Sequence, residues 1–600
     1  MKIRYKYLFF IVVLAFYACD SKVVYDGKYD DSDAVFLSMT KEYTLNLDGS
    51  QKYAYSQKLR LQSHASFNSM YADSHIDYDP MFQKVMGISS VTHNSMGTSV
   101  IKANAINDIL PRNAQNSAYY NRLREKVVSH MGTELGAIID FKYEIESVKN
   151  YKPGLFEEII IPQSSPVRKS KIVVKIPSVY DLNYKLFNSN IRPTVEQFDK
   201  QKIYTWVFND VDEIIVENGS PSYRNEIPRL IFSTVTKKTS EQFIRKYDLH
   251  EKDSIFFIPI VNNIKSNLKK YDKLFLKLQD EVVDNIALNN INFRKASYRT
   301  RSPKKIWEDA SASSMEKCFL LKQLLNIAGY DAEVLIAVPK DLFFQANINY
   351  NLWYNSFVHL IDGDNSYLLK GDEKNVYDSS YDINGYKLLN PFTGDEVKFS
   401  VDTNSIAVKG NIWMKTRKYI WGREYVSLSG KPSHSLKHGN PKYFKLMMNH
   451  VSSYSGKNVK EKIYRIVDTV SGKKLKGKYF KYSLPQYMTG FKVSELPVMT
   501  RDRKTSLEIA NTINESYSYK LLYGKWYRPL VRDTIIQEEN IVGKVFVSFE
   551  KVSDSISYIK YKRSISIKQK RIKPSEYKAF KRLIDIWADK KNKEIYFTFN

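Results

Sequence analysis

Apolar residues recur at every second position through much of this chain, and that period restricts most of it to sheets with one buried face. Tyr43-Thr-Leu-Asn-Leu47 runs into the turn Asp48-Gly49, and Lys52 to Leu61 resumes the alternation. Ile172-Val-Val-Lys-Ile176 lies between Pro166 and Pro177. Short runs of this kind, bounded by turn residues, predict a β-sandwich or a pair of packed sheets from Asp31 to about Thr236. Asn121 to Met131 reads as a helix within it. The 44 tyrosines suit such strands.

The period changes after about Lys238. Ser240 to Lys246, Ser254 to Ser266 and Lys270 to Asn289 read as helices, and Ser313 to Ala328 is the clearest helix in the chain. Ala332 to Val338 and Ser356 to Ile361 read as strands. The second continues through Asp362-Gly-Asp-Asn365 into Ser366-Tyr-Leu-Leu369, a hairpin. From about Lys387 strands return with lysines on their solvent faces. Ser555 to Ile567 reads as a strand, Pro574 to Trp587 as a helix, and Ile595 to Phe599 as a closing strand. No internal repeat is visible. The expected architecture is an α+β multidomain chain: a β-rich domain at 31–238, an α+β domain at 239–380 and a β-rich domain at 387–600.

The N-terminus carries Lys2, Arg4 and Lys6, an apolar run from Tyr7 to Tyr17, then Ala18-Cys19. This is the layout of a secretory signal, its apolar core too short to span a bilayer. A small residue before a cysteine, directly after the apolar run, resembles the cleavage site of bacterial lipoproteins, although Phe16 and Tyr17 are bulkier than that pattern. The resemblance implies removal of 1–18, lipid on Cys19, a tether at 19–30, and a place in the cell envelope. The expected location is the periplasmic or surface side of a Gram-negative-type outer membrane. An ordinary secretory signal, with Cys19 incidental, is the other reading. Cys318 is the second of only two cysteines, so a lipidated Cys19 leaves no internal disulfide. The net charge of +27 is spread along the chain without a nucleic-acid motif, which argues against nucleic acid as a partner. Anionic lipid headgroups or acidic polysaccharide suit such a surface, as does plain solvation.

The helix opening at Ser313 carries the candidate chemistry. Ser313 followed by Glu316 matches a capping box. Ser314, Cys318, Leu321, Leu325 and Ala328 share one largely apolar stripe, with Ser314 at the positive helix end and Gly329 at the stop. Ser314-Met-Glu-Lys-Cys-Phe-Leu-Leu-Lys-Gln-Leu-Leu-Asn-Ile-Ala-Gly-Tyr-Asp-Ala-Glu-Val334 resembles the nucleophile helix of transglutaminase-like domains in bacterial exported proteins. Segments such as Ile76-Asp-Tyr-Asp-Pro80 and Gly136-Ala-Ile-Ile-Asp-Phe-Lys-Tyr143 resemble the β-rich domain of unknown function that precedes them. Ser575-Glu-Tyr577 through the closing strand resembles their C-terminal partner.

That resemblance implies a papain-like α+β fold and a Cys-His-Asp site for acyl transfer or peptide cleavage. Counted back from Gly329, the nucleophile position holds Ser314. The histidine corresponds to His359 in Phe357-Val-His359, and the aspartate position holds Lys370. A hydroxyl ionises far less readily than a thiol and depends on a positioned base, which in turn needs an orienting carboxylate. No catalysis is therefore expected, no cofactor and no metal, and the chain reads as a membrane-tethered binding or assembly protein for an envelope peptide or glycan. Ser314, His359 and Lys370 are then expected to line its cleft.

Other readings of the same residues stay open. Ser314 is a nucleophile or a helix-start residue, Cys318 a relocated nucleophile or a buried inert thiol, and His359 a general base or a hydrogen-bonded core histidine. Asp372 is a possible substitute carboxylate. With these parts live, the chain is an active cysteine or serine amidase, peptidase or acyltransferase on envelope polymers. With exposed tyrosines on one face, it is a glycan-binding lipoprotein. His434 and His438 have helical metal-ligand spacing but sit among Gly430, Pro432 and Gly439, which favours a loop over a metal site.

Overall fold

The computed structural model describes residues 28–115, 117–221, 226–236, 253–270, 272–289, 291, 294, 296–339, 355–363, 365–374, 386–391, 395–398, 404–414, 419–429, 451–455, 461–469, 479–484, 490–497, 502–509, 511–553 and 556–599. The segment with Cys19, the helix expected at Ser240 to Lys246, and His434 with His438 lie outside the described residues. The chain separates into two compact units. One comprises residues 1–214, 227–235 and 294–298, and the other 215–226, 236–293 and 299–600.

An eight-stranded sheet organises the first unit. Its order is Thr194–Phe198, Gln201–Val211, Val167–Pro177, Ala34–Leu45, Gln51–Leu61, Ile138–Ser147, Gln83–Asn94, Gly97–Val100. The third and fourth strands of that order, Val167–Pro177 and Ala34–Leu45, run parallel. Ala34–Leu45 carries a bulge between Phe36 and Ser38. The extra residue switches the inward parity, so Ala34 and Phe36 before it bury the same face as Met39, Tyr43 and Leu45 after it.

Two three-stranded sheets pack on that face. Phe156–Ile160, Asn183–Phe187 and Arg229–Ser233 bring Ile159, Leu230 and Phe232 against Tyr43, Ile172 and Trp206. Asp73–Tyr78, Ile106–Ile109 and Arg124–Ser129 bring Ile76 and Val128 against Phe36, Leu59 and Phe141. The outer face carries cross-strand ion pairs instead, Lys175–Glu42 at 2.5 Å and Lys52–Glu144 at 2.8 Å. This is the β-rich packing of sheets the alternation predicts, with the covering layer divided into two sheets. The helix expected at Asn121 to Met131 is not there. A short 3-10 turn, Ala118–Arg122, leads into strand Arg124–Ser129, where Val127 and Val128 favour extended backbone and pairing on both edges completes the sheet.

Among the described residues of the second unit, four helices precede a five-stranded antiparallel sheet. The helices are α1 (Ser254–Ser266), α2 (Leu274–Asn285), α3 (Pro303–Asp309) and α4 (Ser314–Ile327). The strands are β1 (Asp331–Pro339), β2 (Asn355–Asp362), β3 (Asn365–Leu369), β4 (Tyr386–Leu389) and β5 (Glu396–Val397), in the order β3-β2-β1-β4-β5. α4 packs against the other three helices and against β1 and β2. Enclosure on so many sides explains why its buried residues include Glu316 and Lys317 as well as the leucines.

The same unit holds a second eight-stranded sheet: Val451–Ser455, Glu461–Thr469, Tyr419–Ser429, Ser405–Met414, Ile513–Tyr523, Ser557–Ile567, Gly543–Ser553, Thr534–Glu539. Helix α5 (Tyr577–Ala588) lays Tyr577, Phe580, Leu583, Ile584 and Trp587 on the core of that sheet. Its central pair, Ser405–Met414 and Ile513–Tyr523, is parallel, as Val167–Pro177 and Ala34–Leu45 are, and Ser405–Met414 is followed by an antiparallel partner just as Ala34–Leu45 is. The two β-rich parts share this plan without a repeat visible in the sequence.

Candidate functional site

The start of α4 is fixed by hydrogen bonds and charge. Ser313 is extended at φ −69°, ψ 161°. Its hydroxyl accepts from the Glu316 amide at 3.3 Å, and Glu316 Oε2 accepts from the Ser313 amide at 3.0 Å. That is the capping box the sequence predicts. The Glu316 carboxylate is also gripped by Arg301, whose Nε donates to Oε1 at 2.9 Å and Nη2 to Oε2 at 2.7 Å. Arg301 Nη1 donates to Asp309 at 2.8 Å. These contacts position the first turn of α4 and leave Glu316 without a free oxygen for other chemistry.

Ser314 follows the cap and is half-buried, and its hydroxyl meets no hydrogen-bond partner among the described residues. One turn on, Cys318 is fully buried, and burial pushes its thiol up to about 12. Lys317 is buried as well. Its ammonium donates to the Ile286 carbonyl at 2.6 Å, and burial lowers its pKa against the raising influence of Asp372.

The chain leaving β3 runs across this first turn. A Cβ on Gly371 would stand 2.7 Å from the Cys318 amide nitrogen and 2.7 Å from the Lys317 carbonyl carbon, so glycine is required by close approach. Lys370, just before it, pairs with Glu373 at 2.9 Å, and its carbonyl accepts from Gln279 of α2 at 2.7 Å. Asp372, just after it, is close enough to act on both Lys317 and Cys318. The exit of β3 and the start of α4 are therefore brought together.

His359 is not part of this gathering. Tyr367, directly opposite Leu360 in register, lays its ring 4.8 Å from that of Phe275 on α2, which marks the helix-facing side of the sheet. Successive residues of a strand point to opposite faces. Leu360, Val358 and Ser356 therefore face the helices, and His359 faces away. It lies on the side of a separate small core of Leu335, Ala337, Phe357, Leu368 and Leu388. Its Nδ1 is 3.1 Å from Glu333 Oε1 and its Nε2 is 2.7 Å from Ser366 Oγ. The expectation that Ser314, His359 and Lys370 line one cleft fails at His359, because strand parity turns that ring to the opposite face. The alternation of Phe357, His359 and Ile361 already carried this signal. Arg301 and Gly371, which hold the site together, had no local signature. Among the described residues no group of three or more His, Cys, Asp or Glu could hold a metal ion, and no helix is long and apolar enough to cross a membrane.

Residues 47–215 match the model of a domain of unknown function with a solved structure (DUF3857), and residues 479–597 match a second such domain (DUF3858). The chain is thus a β-rich multidomain protein with a domain of unknown function towards each end. A crystal structure from Parabacteroides distasonis ATCC 8503, provisionally described as a protease, superposes with a TM-score of 0.69 over 94% of this chain and 99% of that one, at 21% identity. The two share a fold over nearly their whole length. An M1 zinc metallopeptidase from Deinococcus radiodurans covers 34% of this chain and 42% of its own, at 11% identity and a TM-score of 0.18, too weak to bear on the fold. A search of curated protein sequences finds no match.

Proposed function

We propose that this chain is a lipid-anchored protein of the bacterial cell envelope whose α+β block is a transglutaminase-like fold without catalysis, kept for binding or assembly. One observation carries the non-catalytic reading: the helix-facing residues of β2 are Ser356, Val358, Leu360 and Asp362, of which only Asp362 could act as a base, and it acts on Tyr330, past the opposite end of α4 from Ser314. A serine hydroxyl without a base is a poor nucleophile. Losing the nucleophile of a catalytic triad alone can lower turnover on the order of a million-fold. Cys318 does not replace it, since a buried thiol near 12 holds almost no thiolate at neutral pH. At the orienter position Lys370 supplies a cation, already paired with Glu373. The anchor reading rests on the basic start, the apolar run and Ala18-Cys19.

A working serine or cysteine peptidase, the activity assigned provisionally to the Parabacteroides protein, is the competing reading, and covalent labelling separates the two. Purified protein is treated with a fluorophosphonate and a vinyl sulfone beside Ser314→Ala, Cys318→Ala and His359→Ala variants. The wild type is expected to label no more than the variants. Stoichiometric labelling lost in the Ser314 or Cys318 variant would overturn the silent reading. For the anchor, cells grown with an alkyne fatty acid should label the wild type and not Cys19→Ala. An unlabelled wild type would remove it.

A further inference from the structure

The inward face of the eight-stranded sheet in the first unit carries tyrosines and a lysine where sandwiches usually place aliphatic side chains. In cross-strand register Lys41 lies between Ile172 and Tyr55, Tyr55 pairs onward with Tyr143, and the adjacent row holds Tyr43 opposite Tyr53. The rings form a continuous wall, with centroids 4.9 Å apart for Tyr43–Tyr53, 6.0 Å for Tyr53–Tyr143 and 5.4 Å for Tyr143–Tyr55. Tyr53, Tyr55 and Tyr143 remain partly open to solvent, so the covering sheets do not seal this wall.

The charges beside it do not balance. Lys41 is half-buried and has no hydrogen bond or ion pair among the described residues. The charged side chain acting on it is Arg294, of the same sign. Arg294 reaches Glu157 at 3.4 Å with 58% of its side chain exposed, but Glu157 is already held by Lys152 at 2.7 Å. Two cations thus share the Glu157 carboxylate, and Lys41, beside Arg294, adds a third positive charge with no carboxylate of its own. Water solvates only part of that excess, and an anion on Lys41 and Arg294 would complete it.

Arg294 is also held in place by a strained segment. Ser297 and Tyr298 are both left-handed, at φ 56° and 57°, a conformation that non-glycine residues keep only where their surroundings enforce it. Here the Ser297 hydroxyl donates to Asp79 at 2.5 Å, and Asp79 is paired with Arg122 at 3.0 Å. The Tyr298 ring packs edge-on against Tyr151 and Phe156. The strain and its clamps hold the backbone that carries Arg294, whose carbonyl accepts from the Ser297 amide at 3.0 Å.

We propose that this face binds a carboxylated sugar residue of an acidic polysaccharide, with Lys41 and Arg294 taking the carboxylate and the tyrosine wall taking the ring. A bare inorganic anion would leave the wall unused. A flat sugar ring, apolar on its faces and hydroxylated at its edge, matches aromatic rings that carry their own hydroxyls. The proposal is independent of the α+β block and of the anchor.

Titration calorimetry on the purified full-length protein in detergent tests it. The probes are a tetrasaccharide of alternating N-acetylglucosamine and glucuronic acid, the same tetrasaccharide with its carboxyls reduced to alcohols, and a tyrosine-free tripeptide with a free carboxylate. The acidic tetrasaccharide should bind saturably. Affinity should fall at least tenfold for the reduced form, for Lys41→Met and for Arg294→Gln. Lys41→Met removes an unpaired, half-buried charge and should have a Tm no lower than the wild type, so its loss of binding is not a loss of fold. No saturable binding, equal binding of the reduced form, unchanged affinity in Lys41→Met, or tighter binding of the tripeptide would each overturn the proposal.

Discussion

Arg301 and Glu316 form a two-pronged ion pair at 2.9 and 2.7 Å with both side chains only 1% exposed, and this pair, rather than a catalytic group, governs the start of α4. Each prong is a charge-assisted hydrogen bond, and the same carboxylate closes the capping box. Removing one partner of a buried pair strands the other charge, at a cost of roughly 3–5 kcal/mol. Glu316→Ala should therefore lower stability by about that amount in urea denaturation. The double variant Arg301→Met, Glu316→Leu, which removes both charges, should recover much of the loss. A fall of less than about 1 kcal/mol for Glu316→Ala would mean the pair is not the clamp described here.

Cys318 gives a chemical reading of the same region. Its sulfur is buried, its thiol stands near 12, and Gly371 crosses directly over its backbone. Native protein at pH 8 should therefore resist iodoacetamide at Cys318 and become modified only in denaturant, as followed by mass spectrometry of the Cys318 peptide. Gly371→Ala would press a methyl onto backbone that cannot step aside and should cost about 1–3 kcal/mol. It should also speed the labelling of Cys318 in the native state, because both residues meet at that turn.

His130 makes the first unit sensitive to acid. Its ring is buried between the hydroxyls of Ser74 at 2.8 Å and Ser90 at 2.7 Å, edge-on to Phe141. Burial lowers its pKa from 6.5 to about 4. The unfolded chain therefore binds this proton more readily than the folded one. The histidine's contribution is fully present above pH 6.5 and is lost as pH falls through about 4, amounting to about 3 kcal/mol. His130→Leu should lower the slope of stability between pH 6.5 and 4 relative to the wild type. Parallel slopes would show that this ring does not carry the dependence.

Much of the architecture was legible from local pattern, because alternation, turn residues and capping chemistry all act over a few residues. The capping box at Ser313 and Glu316, the hairpin at Asp362 to Asn365 and the closing strand all came from such signals. Asn121 to Met131 was misread because its strand character comes from pairing with Asp73–Tyr78 and Ile106–Ile109, which no local window contains. At the site, the sequence supplied the residues and lost their directions. Ser314 opens α4, and Lys370 stands at the strand exit whose next residue, Gly371, crosses that helix at Lys317 and Cys318. His359 was placed with them by motif, although its own strand parity sends it to the far face. Lys41 and Arg294 were out of reach altogether. They lie 253 positions apart in the chain, and only the folded first unit sets them beside one tyrosine wall.

Lys41 also makes a prediction that needs no ligand. Burial, with Arg294 adding like-charge repulsion, lowers its ammonium from 10.5 to about 8. The folded chain thus holds this proton less tightly than the unfolded chain, and the penalty is fully present below pH 8. It is relieved as pH rises from 8 to 10.5, and at most about 3 kcal/mol is involved. Lys41→Met should accordingly be more stable than the wild type at pH 7, and the gap should narrow as pH approaches 10.5. Urea midpoints of the two proteins across that range would measure it. A residue that costs stability where a neutral one would fit is what a binding site on that face requires. If Lys41→Met were instead less stable at pH 7, the lysine would have a structural partner and the unbalanced charge behind the proposed site would not exist.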